Sequence, residues 1–472
     1  MESIYIFLFL SFFYICKKVQ HHQPIPNRKY MKKIKKLSLL IVCIATTIVS
    51  ITSCQKSGIN SLMQTKTTAA DIQNKSLLMQ KDSLVSTPFG YKKKSQVHFL
   101  PSGHELTESN GRLLEKDSKT KQTINDFGVI NVNSGATITN NNLAVTKSAV
   151  VPGLGTGWIT DAVWNNTNTA NAISKFITTW VVPDAPVNND NQTIYIFNGM
   201  QDGVSATSHI LQPVLQWGPS NAGGGNYWAA TNWYGSGQGS TANYFYGTLV
   251  TVSAGTSLQG VMTMTAQNGS LYSYNSSFSG FPANSSMTVT NVPQLTYAFE
   301  TLEAYGVQYS LDYPMTYEVP MTNIQILLNS GVNAPIQWTA ENRVTDIGQH
   351  TVIVNNNSPN GEVDIYIRNH YVMPITVTMP SSASLHAVVV GITPAYSGFP
   401  GANLTFTNTS TQNYITYNST DTYNIQVTTV TQRCHVTLNG QTQDTQGGHT
   451  YASFNNISLS GSGPLQISVT PF

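Results

Sequence analysis

The run His209-Ile-Leu-Gln-Pro-Val-Leu-Gln-Trp-Gly218 sets two amides, Gln212 and Gln216, into an apolar, strand-like stretch. In an extended strand alternate side chains share a face. Ile210, Gln212, Val214 and Gln216 therefore point one way, and Leu211, Pro213, Leu215 and Trp217 the other. An amide turned inward needs a hydrogen-bond partner. Acids are scarce in this part of the chain, and two of them, Glu300 and Glu303, lie in a second strand-like run, Tyr297-Ala-Phe-Glu-Thr-Leu-Glu-Ala-Tyr-Gly306. A carboxyl group whose burial raises its pKa can activate a water and then protonate a leaving amine. An amide NH₂ can donate to a developing oxyanion while its carbonyl places the water. Gln212 with Glu303 or Glu300 is thus a sufficient set for peptide or ester hydrolysis at acid pH. The same residues also suit a buried hydrogen-bonded pair across a sheet, with no chemistry.

Spacing narrows the choice. Glu300 and Glu303 are three residues apart, so in a regular strand they face opposite sides and only one shares a cleft with Gln212. Gln212 and Gln216 share a face but stand roughly 13 Å apart at about 3.3 Å per residue. Other catalytic sets are poorly supplied. His209 is the only histidine between residues 150 and 340, no Gly-x-Ser-x-Gly is present, and no paired His or Cys spacing suggests zinc. No metal or cofactor is expected.

The elements that must position these residues read as β-strands throughout. Aromatic and β-branched runs such as Ile173–Val182, Thr193–Gly199, Tyr227–Tyr234, Phe245–Val252 and Leu258–Thr265 recur every 10–15 residues, separated by turn residues, with no helical period. That pattern predicts an all-β antiparallel sandwich or barrel over residues 150–372. Residues 373–472 read as a smaller C-terminal β module with Asn/Thr/Ser-rich turns. The 472 residues are only 10% charged, with a net charge of +2, which gives no basic patch for nucleic acid.

The N-terminus points to export. From Met31, a basic stretch, an apolar run and Ile51-Thr-Ser-Cys54 follow in order, which resembles the lipobox of bacterial lipoproteins. Residues 31–54 are expected to be the signal peptide and Cys54 the lipidated residue. Residues 1–30 carry another apolar run and read as a start-site artefact. Residues 55–85, polar and without apolar period, read as a flexible tether. Residues 86–149 read as a pro-region or a small subdomain. The expected location is the bacterial cell envelope, anchored to the membrane by lipid, as a monomer.

One further resemblance rests on residues. Ile210-Leu-Gln-Pro-Val-Leu resembles the strand of the glutamic peptidases (eqolisins) that carries the catalytic glutamine, with Gln212 at the matching position. Thr178-Thr-Trp-Val-Val-Pro183 is similar to that family's Trp-x-Val-Pro strand, Asn232-Trp-Tyr234 to its Glu-Trp-Tyr strand, and Val250–Leu258 to its Ile-x-Ser-x-Gly-Asp segment. The resemblance implies a concanavalin-type, lectin-like sandwich with a Gln/Glu dyad in a cleft. It differs where the family reads Ala-Glu-Trp-Ile-x-Glu. Matching Glu303 to the distal glutamate puts the catalytic position at Phe299, or at Glu300 with a shift of one residue. Two functions follow: a peptidase-like hydrolase of the cell envelope acting on peptides, or a non-catalytic carbohydrate- or surface-binding lipoprotein on the same scaffold. For either, Gln216, Trp217, Trp228, Asn232, Trp233 and Tyr234 are the expected contacts to a peptide or glycan.

Overall fold

The computed structural model describes residues 83–130, 156–203, 209–381, 385–395, 401–416, 422–430, 432–445, 450–458 and 465–472. The expected start-site artefact, the signal peptide with Cys54 and most of the tether lie outside the described residues.

The all-β expectation is met: the described residues form sheets, with only short 3₁₀ turns between strands. Two large sheets take their strands from the described residues of 97–366. The first has nine strands, in the order Thr339–Asn342, Gly157–Asn165, Tyr297–Tyr305, Thr193–Gln201, His209–Ser220, Gly223–Ser236, Asn243–Tyr246 and Val97–Phe99, with Val250–Thr251 beside Gly223–Ser236. The second has ten strands, and its middle is Glu318–Leu328, Ile173–Val181, Ser257–Asn268 and Leu271–Phe278. Between the sheets lies the main core, including Phe176, Trp180, Leu211, Leu215, Met262, Leu302 and Ile326. These positions recur with period two along their strands, so one face of each strand is buried against the opposite sheet.

Residues 97–129 are woven into both sheets. Val97–Phe99 runs parallel to Asn243–Tyr246, and His104–Ser109 runs parallel to Met287–Val292 at the edge of the second sheet. A buried ion cluster fixes this segment. His209 Nδ1 pairs with Asp202 at 2.7 Å and Nε2 with Glu108 at 2.5 Å, and Ser236 Oγ donates to Glu108 at 3.1 Å. Burial alone would push the His209 imidazole down, but the two carboxylates outweigh it and raise it to about 9.

The C-terminal residues form a second, smaller two-sheet sandwich. Tyr371–Thr378 lies between Ser410–Thr416 and Leu465–Pro471 in a five-stranded sheet, and Val388–Pro394 lies between Ala402–Phe406 and Thr422–Thr429 in a four-stranded one. Its core is separate and apolar, built from residues such as Ile375, Val390, Phe406, Val436, Phe454 and Ile467.

Candidate functional site

The outer face of the nine-stranded sheet carries its own aromatic cluster: Tyr195, Phe197, Val214, Trp233, Tyr305 and Val97. This face is the floor of a cleft. The strand Thr193–Gln201 lies between the glutamine strand and the glutamate strand, and the register arranges the floor in rows. Phe299 pairs with Gly199, whose vacant Cβ position lies 3.5 Å from Gln212 Cβ, so one row reads Gln212, Gly199, Phe299. The next reads Val214, Phe197, Thr301, and the third Gln216, Tyr195, Glu303.

The two glutamates part as strand geometry requires. Glu300 turns into the inter-sheet core, where Thr178 Oγ1 donates to it at 2.5 Å from the opposite sheet. Burial pushes its carboxyl well above the usual range, and the Thr178 hydroxyl only partly offsets that. Glu303 is on the cleft face with Gln212, but two rows away, about 13 Å along the strand at about 3.3 Å per residue. The position facing Gln212 is Phe299. The dyads expected from sequence, Gln212 with Glu303 or with Glu300, are therefore not assembled.

The remaining expected contacts separate in the same way. Trp217, Trp228 and Tyr234 belong to the core between the sheets. Asn232 also points there: its amide donates to Ser285 O at 2.5 Å and accepts from Ser276 Oγ at 2.6 Å. These four turn away from the cleft because each lies one residue out of phase with the floor positions 229, 231 and 233 on its strand, or 214 and 216 on the neighbour. Gln216 does face the floor, but its amide holds the hairpin turn. Nε2 donates to Gly218 O at 2.8 Å and Gly223 O at 3.0 Å, and Oε1 accepts from Ser220 Oγ at 2.8 Å. Gly224, with φ +100, is required there, since a Cβ would strike Gly218 O and Gln216 Nε2. Trp233 alone of the expected aromatics lies on the floor, and it is fully buried.

A hairpin of the same chain covers this floor. Leu84–Val85 pairs with Lys92–Lys93, and residues 86–91 form its tip. Thr87 shapes the tip, its hydroxyl donating to Gly90 O at 2.7 Å and accepting from Phe89 N at 3.2 Å. Phe89 stacks on Tyr244 at 5.1 Å and meets Trp233 edge-on at 6.1 Å. Such pairs contribute about 0.5–1.5 kcal/mol each beyond the area they bury. Ser86 Oγ lies 3.2 Å from the Tyr195 hydroxyl, and Asn221 N donates to Ser86 O at 3.1 Å. Tyr91 meets Tyr305 edge-on at 5.3 Å. Gln212 Nε2 makes a long contact, 3.5 Å, to the main-chain carbonyl of Pro88. Gln212 Oε1 is buried with no hydrogen-bond partner.

Glu303 is the ionisable group of the floor. Burial raises its carboxyl to about 8, against the pull of the Tyr305 hydroxyl that donates to Oε1, with smaller help to the anion from Lys92 and Trp158. At neutral pH it is mostly a neutral acid. Tyr195, Tyr305, Trp158 and the hairpin escaped sequence reasoning. Period-two alternation in Thr193-Ile-Tyr-Ile-Phe-Asn-Gly199 carries the signal for Tyr195. The hairpin carries none, because its residues sit at the end of a polar, tether-like stretch. Among the described residues no cluster of three or more His, Cys, Asp or Glu is arranged to hold a metal ion.

No family model and no curated protein matches the chain. Among solved structures it is similar to scytalido-glutamic peptidase with a peptide-based transition-state analogue, at 16% identity over 44% of this chain and 98% of that one, with a TM-score of 0.28. It is similar also to SCP-B, a member of the eqolisin family of peptidases, in complex with the tripeptide Ala-Ile-His, at 15% identity over 44% of this chain and 98% of that one, with a TM-score of 0.25. The likeness is distant.

Proposed function

We propose that this chain is a lipid-anchored cell-envelope protein whose cleft binds extended polypeptide without cutting it. The observation that carries the reading is the Gln212 row: across Gly199 it meets Phe299, and the Gln212 amide faces a main-chain carbonyl, Pro88 O, of the hairpin tip. A hydrolytic dyad needs a carboxyl within hydrogen-bond reach of the same water as the amide, directly or through one more water. Phenylalanine supplies none. A carbohydrate platform is less well supported, because Trp217, Trp228, Trp233 and Tyr234 are buried and offer no ring face to solvent. The anchor rests on the basic and apolar run ending at Cys54.

A second reading, acid-pH peptide hydrolysis with Glu303 as the carboxyl, is favoured by one observation: Glu303 shares the cleft face with Gln212 and is held protonated by burial. One experiment separates them. Cleavage of a mixed peptide library is measured from about pH 2 to about pH 7 with the wild type, Gln212→Ala and Glu303→Gln. The binding reading predicts no cleavage that either substitution abolishes. Cleavage lost in Gln212→Ala overturns it, and cleavage lost in both variants establishes the second reading.

A further inference from the structure

Beneath the hairpin the cleft keeps a cavity of about 250 Å³, lined by Pro88, Phe89, Trp158, Tyr244, Glu303 and Tyr305 among others. At about 30 Å³ per water it is large enough for roughly eight waters, or an aromatic side chain with its amide. Its walls are mostly aromatic rings, with Pro88, Ile210, Gly235 and Gly237 between them, and its one acidic group, Glu303, is fully buried. Glu303 Oε1 accepts from the Tyr305 hydroxyl, while Oε2 has no hydrogen-bond partner. A buried polar atom without a partner costs about 1–3 kcal/mol, which a ligand that satisfies it recovers.

We propose that this cavity is a binding site for a small neutral ligand, or a neutral side chain of a bound peptide, whose carbonyl oxygen accepts a hydrogen bond from the Glu303 carboxyl between the Trp158, Phe89 and Tyr244 rings. The site rests on reading the cleft as a binding surface. Aromatic walls favour an uncharged ligand, since a charged one would lose its hydration on entering. A cationic ligand is further disfavoured by Lys92, which acts on Glu303 from the hairpin, and by Arg343, whose guanidinium lies over the Trp158 ring at 5.5 Å. The other titratable groups around Glu303 are the phenols Tyr305 on its own strand, Tyr195 on the next strand and Tyr91 on the hairpin. Burial pushes Tyr195 and Tyr305 above the usual phenol range, so both stay neutral while Glu303 titrates near pH 8. Once ionised, the carboxylate accepts and no longer donates, and it repels a carbonyl oxygen.

The test is calorimetric titration of the full chain with N-acetyl-L-phenylalaninamide at about pH 6 and about pH 9.5. Saturable one-to-one binding is expected at the lower pH, and binding roughly tenfold weaker or more at the higher. Glu303→Gln keeps an N–H donor that does not titrate, so its binding is expected to be equal at both pH values. Glu303→Ala is expected to lose binding at both. Equal wild-type affinity at the two pH values overturns the proposal, as does no saturable binding at the lower pH or wild-type affinity in Glu303→Ala. The wild-type profile needs no variant to fold. If the amide binds as expected while Gln212-dependent cleavage appears, the non-catalytic reading falls and the cavity stands. If no cleavage and no amide binding appear, the cavity falls alone.

Discussion

The two sandwiches keep their polar groups in different places. The large one buries Asp161, Asn198, His209, Gln212, Glu300, Glu303, Asp312 and Arg368, each at 2% exposure or less. Among the described residues of the C-terminal sandwich, the buried polar side chains are Thr416, Thr429 and Thr445, around an apolar core. Its ion pair, His435 with Asp444 at 2.6 Å, is on the surface. Burying an ionisable group costs several kcal/mol unless it is paired or neutralised. The core of the C-terminal sandwich is therefore free of buried charge, while the large one carries a set of groups whose charge state matters. All seven tryptophans of the chain lie between residues 158 and 338. Their fluorescence reports on the large sandwich, and far-ultraviolet circular dichroism on both.

The comparison breaks most easily in the C-terminal core. Phe454→Ala should cost about 3–5 kcal/mol of that sandwich's stability through the cavity it leaves. In urea the dichroism transition should acquire an early phase with the tryptophan transition unmoved. A shift of the tryptophan transition by the same amount would show that the two sandwiches unfold as one.

Next is the ion cluster that joins residues 97–129 to the large sandwich. His209→Ala leaves the carboxylates of Glu108 and Asp202 facing one another without their shared cation. Removing one partner of a buried charge set typically costs about 3–5 kcal/mol, and the carboxylates of Glu108 and Asp202, each 14% exposed, put this site at the lower end. The tryptophan transition should move to lower urea. A change below about 0.5 kcal/mol would mean that the cluster contributes geometry only.

The pH profile of the wild type tests the same contrast without any substitution. Glu303 is raised from 4.5 to about 8, so the fold binds its proton more tightly than the unfolded chain does. Its contribution is complete below about pH 4.5 and is lost as pH rises through about 8. His209 is raised from 6.5 to about 9, so its contribution is complete below about pH 6.5 and is lost as pH rises through about 9. Both act in one direction: between pH 5 and pH 9 the tryptophan transition should weaken by an amount on the order of a few kcal/mol. The C-terminal sandwich should change much less over that range, since its described residues bury no carboxyl or imidazole group. Glu303→Gln should flatten the lower part of the tryptophan profile. A profile unchanged by that substitution would assign the whole slope to His209.

Much of the molecule was legible in the residues. Runs of β-branched and aromatic residues with period-two alternation specified strands, because in a two-layer sandwich each strand packs one face against the opposite sheet. The same alternation put Gln212 and Gln216 on one face and separated Glu300 from Glu303. Less was legible at the site. Trp217, Trp228, Asn232 and Tyr234 looked like contacts because they are aromatic or polar and lie near Gln212 in sequence. A shift of one residue along a strand sends each of them to the opposite side of the sheet.

By itself, then, the sequence determined the all-β class, the two-faced glutamine strand and the opposed glutamates, since those depend only on local periodicity. Tertiary structure decided what stands in the same row as Gln212. Row partners are fixed by the register between strands far apart in the chain, and register depends on the packing of whole sheets. That register set Phe299 across Gly199 from Gln212, moved Glu303 two rows away, and left a neutral carboxyl facing a cavity under the chain's own hairpin.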